Sequence, residues 1–114
     1  MDKETAEYIV TYFFNLLPEK EKLAWRHHSS ILKLEENENP KSWEMYKRKG
    51  WITDDKEVLD LLKVGYDNFE MNTAKKIIEE YPEKVFLNNC PECGKLARTP
   101  KAKQCRFCGF NWHK

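Results

Sequence analysis

Four cysteines, Cys90, Cys93, Cys105 and Cys108, are the residues of this 114-residue chain whose type and spacing best suit chemistry. They form two C-x-x-C-G units, Cys90-Pro91-Glu92-Cys93-Gly94 and Cys105-Arg106-Phe107-Cys108-Gly109. Two intervening residues let both sulfurs of a unit reach one ion from a tight turn. The glycine after each pair can take a positive φ and close that turn without a Cβ clash. Backbone N–H groups in such a turn can donate to the thiolates and offset their charge. Four sulfurs at about 2.3 Å then complete a tetrahedron with no open position. The spacing therefore predicts one structural Zn²⁺ held by the four cysteines. Iron is the chemical rival, because an all-thiolate tetrahedron suits both metals. A pair of disulfides fits the paired spacing poorly, and a thioredoxin-type redox motif uses a single pair at a helix start.

A metal also answers a folding problem. The segment from Cys90 onward is too short to fold on apolar burial alone. Structural zinc supplies roughly 10–16 kcal/mol of apparent binding free energy, which appears as folding free energy. Leu96, Phe107, Phe110 and Trp112 are expected to form a small apolar patch around the site.

The segment between and around the two units is basic. Lys95, Arg98, Lys101, Lys103 and Arg106 are candidate phosphate contacts, and an exposed Phe107 or Trp112 is suited to stack on a base. From Cys90 onward six bases face one acid, a formal +5, whereas the first 89 residues carry −4. Four thiolates and one Zn²⁺ reduce the C-terminal value to about +3. His27 falls on the apolar row of a helix and reads as a hydrogen-bonded core histidine, with His28 then facing solvent. His113 is a candidate fifth, substitute ligand, but with four cysteines present it reads as a terminal, solvent-facing histidine. Lys47-Arg48-Lys49 complements the negative end of a helix. No Gly-rich phosphate loop, no G-x-S-x-G and no paired carboxylates at catalytic spacing occur, so the chain reads as a non-enzyme.

Cys90 to Trp112 resembles the zinc-ribbon class and, more distantly, the rubredoxin-like ribbon of rubrerythrins. With Leu96 to Gln104 between the units and Trp112-His113 after them, the tail looks like that of small bacterial ribbon proteins. The resemblance covers about a fifth of the chain and implies a metal, without specifying a function. Rubrerythrins join their ribbon to a di-iron bundle built on E-x-x-H motifs. This chain has no E-x-x-H, so the likeness does not extend to that chemistry.

The elements that must carry the site read as helices followed by a short β-leaning stretch. Ile9, Tyr12, Phe13, Leu16 and Leu17 recur at helical spacing until Pro18, which can open a second helix to about Leu34 along Leu23, His27, Ile31 and Leu34. Glu35 to Pro40 reads as a loop, and Ser42 to Lys49 as a short helix stopped by Gly50. Thr53 is a candidate N-cap for an apolar periodic run from Val58 to Tyr81. That run is one helix or two, with Gly65 and Asp67-Asn68 marking the favoured break. Val85-Phe86-Leu87 leads into the first cysteine pair. The fold class expected is α+β, mostly α. It comprises a helical domain of four or five helices over residues 1–83 and a zinc-ribbon β module over residues 84–114. Phe86, Phe110 and Trp112 are expected to pack that module against the helices.

Asp2, Glu4 and Glu7 stand where a secretory signal needs base, and no segment approaches the roughly 18 apolar residues of a membrane span. The expected location is the cytoplasm. The expected function is a non-catalytic zinc-binding protein acting as an interaction or adaptor module for a protein partner. The alternatives are a nucleic-acid-binding regulator using the basic loop and a rubredoxin-like iron electron carrier. Sequence leaves the oligomeric state open.

Overall fold

A computed structural model describes residues 1–36 and 39–112. Its described residues contain five α-helices, α1 (Lys3–Tyr12), α2 (Glu19–Glu36), α3 (Pro40–Arg48), α4 (Lys56–Leu62) and α5 (Tyr66–Glu80), with a 3₁₀ turn at Phe14–Leu16. No helix among them is long and apolar enough to cross a membrane. Two compact units divide the chain: Met1–Leu16 with Met71–Lys114, and Leu17–Glu70. They are called here the cysteine unit and the α2–α4 unit.

The helix boundaries follow from local chemistry. Asp2 caps α1, its Oδ1 accepting the Thr5 N–H at 2.8 Å, and hydrogen bonding from the Thr5 side chain, then from its N–H, holds the Asp2 carboxyl below its ordinary pKa. Phe13 closes the helix and Pro18 disfavours α geometry at the residue before it, so the chain passes through the 3₁₀ turn instead. The first helix is therefore shorter than its periodicity suggested. Its buried residues are Ala6, Tyr8, Ile9 and Val10, whereas Tyr12 is exposed. Asn39 caps α3 with Pro40 in the first turn, and Gly50 follows the helix at φ 74°.

The α4 cap falls two residues later than expected. Asp55 caps the helix through the Glu57 N–H, while Thr53 Oγ1 accepts the Asp55 N–H one step earlier. The apolar run from Val58 to Tyr81 is two helices, broken where Gly65 takes φ 90°. In the α2–α4 unit, α2 packs on α4 around buried Ala24, Val58 and Phe69, ringed by Leu23, Trp25, Leu61, Leu62 and Tyr66. His28 is half-buried in this unit, its ring stacked on Tyr66 at 4.1 Å, so it does not simply face solvent.

The expected β module is not there. The described residues contain no strand or sheet, only two isolated antiparallel bridges, Asn89↔Leu96 and Gln104↔Asn111. The α+β expectation is therefore corrected to a helical fold with an irregular cysteine segment. Two interactions explain the difference. The backbone around Val85-Phe86-Leu87 is engaged by a side chain: Tyr8 Oη donates to Phe86 O at 2.7 Å and accepts from the Asn88 N–H at 3.3 Å. The chain between the two turns is bent at Thr99–Ala102 and held there by Asn88, whose Nδ2 donates to Thr99 O and Ala102 O, each at 2.9 Å. Neither stretch has backbone partners in ladder order.

Candidate metal centre

The two C-x-x-C-G turns fold alike, and each hydrogen bond of the first recurs in the second. Gly94 N–H donates to Cys90 O at 2.9 Å, and Gly109 N–H to Cys105 O at 3.1 Å. Cys90 N–H donates to Lys95 O, and Cys105 N–H to Phe110 O, both at 2.8 Å. Ala97 N–H reaches Asn88 O, and Trp112 N–H reaches Lys103 O, both at 2.7 Å. Gly94 and Gly109 adopt φ 78° and 80°, the left-handed conformation the sequence called for.

The turns bring all four sulfurs together, within 4.8 Å of one another. Cys93 and Cys105 Sγ are 3.5 Å apart, and Cys90 and Cys108 Sγ 3.7 Å. A tetrahedron with metal–sulfur bonds of about 2.3 Å has sulfur–sulfur edges of about 3.8 Å. The cluster therefore fits a tetrathiolate ion, and none of the four forms a disulfide. The donor set admits zinc or iron.

The first cysteine of each turn is the enclosed one. Cys90 and Cys105 are each 2% exposed, whereas Cys93 and Cys108 reach solvent. Cys90 Sγ accepts from the Glu92 and Cys93 N–H groups, and Cys105 Sγ from those of Phe107 and Cys108, at 3.3 to 3.5 Å. The Cys108 N–H, helped by that of Phe107, brings the Cys105 thiol down to about 6 against the cost of desolvation. For Cys108 the Phe110 N–H favours the thiolate, but desolvation and the three neighbouring cysteines outweigh it and push the thiol up to about 12. Cys93 is raised in the same manner, the Lys95 N–H being outweighed by desolvation and Cys105. Without a cation the clustered sulfurs titrate together, and adjoining thiolates disfavour one another. A divalent ion offsets that repulsion, draws the four sulfurs into the thiolate form and releases protons as it binds.

The basic residues do not gather into one phosphate cradle. Lys95 Nζ and the Arg106 guanidinium lie over the Phe107 ring, at 4.8 and 4.9 Å from its centroid. Arg106 also pairs with Glu4 of α1 at 3.3 Å. Arg98 and Arg106 line a cleft of about 250 Å³ that Glu4 and Glu7 share. Lys101 and Lys103 are exposed on the bent segment.

The expected apolar patch is only partly covered. Phe107 is 45% exposed and Phe110 40% exposed, while Leu96 and Trp112 are half-buried. Phe110 and Trp112 stack at 6.3 Å. Phe86, expected to anchor the segment, is 57% exposed. Besides Cys90 and Cys105, the buried residues in this part of the chain are Asn88 and Ala97. Sequence reasoning missed Tyr8, Glu4 and Asn88; of these only Asn88, which leads into the first knuckle, stood near a visible motif. His113 lies outside the described residues.

No protein-family model matches this chain, nor does any curated protein or any solved structure.

Proposed function

We propose that this protein is a non-catalytic zinc protein whose cysteine unit serves as an interaction module for a protein partner. The observation that carries the reading is the four-sulfur cluster itself, with edges of 3.5 and 3.7 Å. Four thiolates fill every position that zinc prefers, leaving none for water or substrate, so the metal's role is to hold the fold. Solvent-facing Phe107 and Phe110 beside that rigid frame supply the kind of aromatic anchors that protein interfaces use.

Nucleic-acid binding is the second reading, favoured by exposed Phe107 flanked by two cations. Glu4 and Glu7 weigh against it, since they share a cleft with Arg98 and Arg106 and repel phosphate. The test is affinity capture from native lysate with the zinc-loaded protein and with a Phe107→Ser, Phe110→Ser double variant. A partner held by the first and lost by the second supports the reading. Recovery of the same proteins by both, or of none, sinks it. Titration with single-stranded DNA and RNA at low salt separates the alternative.

A further inference from the structure

The α2–α4 unit contains a cavity of about 450 Å³ that the cysteine chemistry does not use. It is built between two helices by side chains one turn apart: His27 and Ile31 on α2, Trp43 and Lys47 on α3. Ile52, Thr53 and Asp54 line it as well. This segment is fastened in place, because the Thr53 N–H donates to His27 Nδ1 at 3.0 Å.

Three features define what fits. The walls supplied by Ile31, Ile52 and the Trp43 ring are apolar, and Trp43 remains 37% exposed, leaving ring surface for a flat partner. Donation from Thr53 leaves Nδ1 without a proton, so neutral His27 carries its hydrogen on Nε2 and offers a donor. The cavity also carries one charge of each sign, Lys47 and Asp54. A simple anion meets Lys47 but is repelled by Asp54, and a simple cation meets the reverse. A molecule carrying both charges satisfies both. The volume falls within the range of small-molecule sites.

We infer that this cavity binds a small aromatic zwitterion of the amino-acid class. Its ring lies against Trp43 and Ile31, its carboxylate faces Lys47 and the His27 donor, and its ammonium faces Asp54. The inference is independent of the metal site.

The test is ¹H–¹⁵N NMR titration of the zinc-loaded full chain with L-phenylalanine, 3-phenylpropionate and phenethylamine. Saturable shifts confined to residues 27–31, 43–47 and 52–54 are expected with L-phenylalanine. The analogues lacking one charge should bind about tenfold more weakly, and Lys47→Glu should weaken L-phenylalanine binding by a similar factor. Lys47 and Asp54 are both exposed, so Lys47→Glu and Asp54→Lys should leave the spectrum of the free protein intact away from the cavity. No saturable shift at millimolar ligand overturns the proposal. So does equal binding of all three compounds, or shifts that survive both substitutions.

Discussion

Replacing Tyr8 by Phe removes one oxygen and isolates the contact that ties the cysteine segment to α1. The ring stays, with its packing against Tyr12 at 5.5 Å and Phe13 at 6.1 Å. What is lost is the hydroxyl that donates to Phe86 O at 2.7 Å and accepts from the Asn88 N–H at 3.3 Å. Asn88 is 7% exposed, so its orphaned N–H costs about 1–3 kcal/mol. Phe86 is 57% exposed, and water can replace the hydroxyl at its carbonyl, adding about 0.5–1 kcal/mol. The expected loss is therefore about 1.5–4 kcal/mol, measured by urea unfolding of the zinc-loaded protein. In a thermal scan this is a fall of roughly 6 °C or more. Tyr12→Phe is the control, because Tyr12 is 44% exposed, and should stay within about 0.5 kcal/mol of the parent. If Tyr8→Phe behaves like that control, the hydroxyl does not fasten the cysteine segment and the account of this unit is wrong.

Other perturbations probe the remaining parts. Asn88→Ala removes two hydrogen bonds to the bent segment and should speed tryptic cleavage at Lys101 and Lys103, with a stability loss of about 1–3 kcal/mol. Gly94→Ala and Gly109→Ala place a Cβ in open space, so only the positive φ resists them. Each should cost about 1–2 kcal/mol, read as a roughly tenfold weaker zinc affinity in a chelator competition, and the two should match. His27 is held below its ordinary pKa by desolvation and then by His28, so the unfolded chain binds the proton more readily. Stability from this group is fully present above about pH 6.5 and is lost as the pH falls towards the folded value. His27→Gln should flatten that acid-side decline in the melting temperature relative to the parent at each pH.

The cysteine site was legible because its information is local. Two intervening residues and a following glycine dictate each turn, and the turns differ little from what that geometry requires. The helices were legible in outline for the same reason, but whether residues 54–81 form one helix or two was not, and the structure breaks them at Gly65. Partners distant in sequence were not. Tyr8 lies 78 residues from Phe86, and Glu4 lies 102 residues from Arg106. No spacing rule links such pairs, so Phe86 was expected to anchor through its ring when its carbonyl does so. The β expectation failed because apolar β-leaning residues make a strand only if another strand pairs with them, and here a tyrosine and an asparagine side chain take that place. Counting basic residues likewise could not show that Arg106 is occupied by Glu4 and Phe107.

The central claim is that Cys90, Cys93, Cys105 and Cys108 hold one zinc ion that fills its shell and folds the cysteine unit. Native mass spectrometry with elemental analysis, on protein purified without added metal, tests it directly. One zinc per chain and a colourless protein are expected, with loss of the metal together with the fold of this unit when any one cysteine is replaced by alanine. Iron at the site with thiolate–iron absorption, or a folded cysteine unit free of metal, contradicts it.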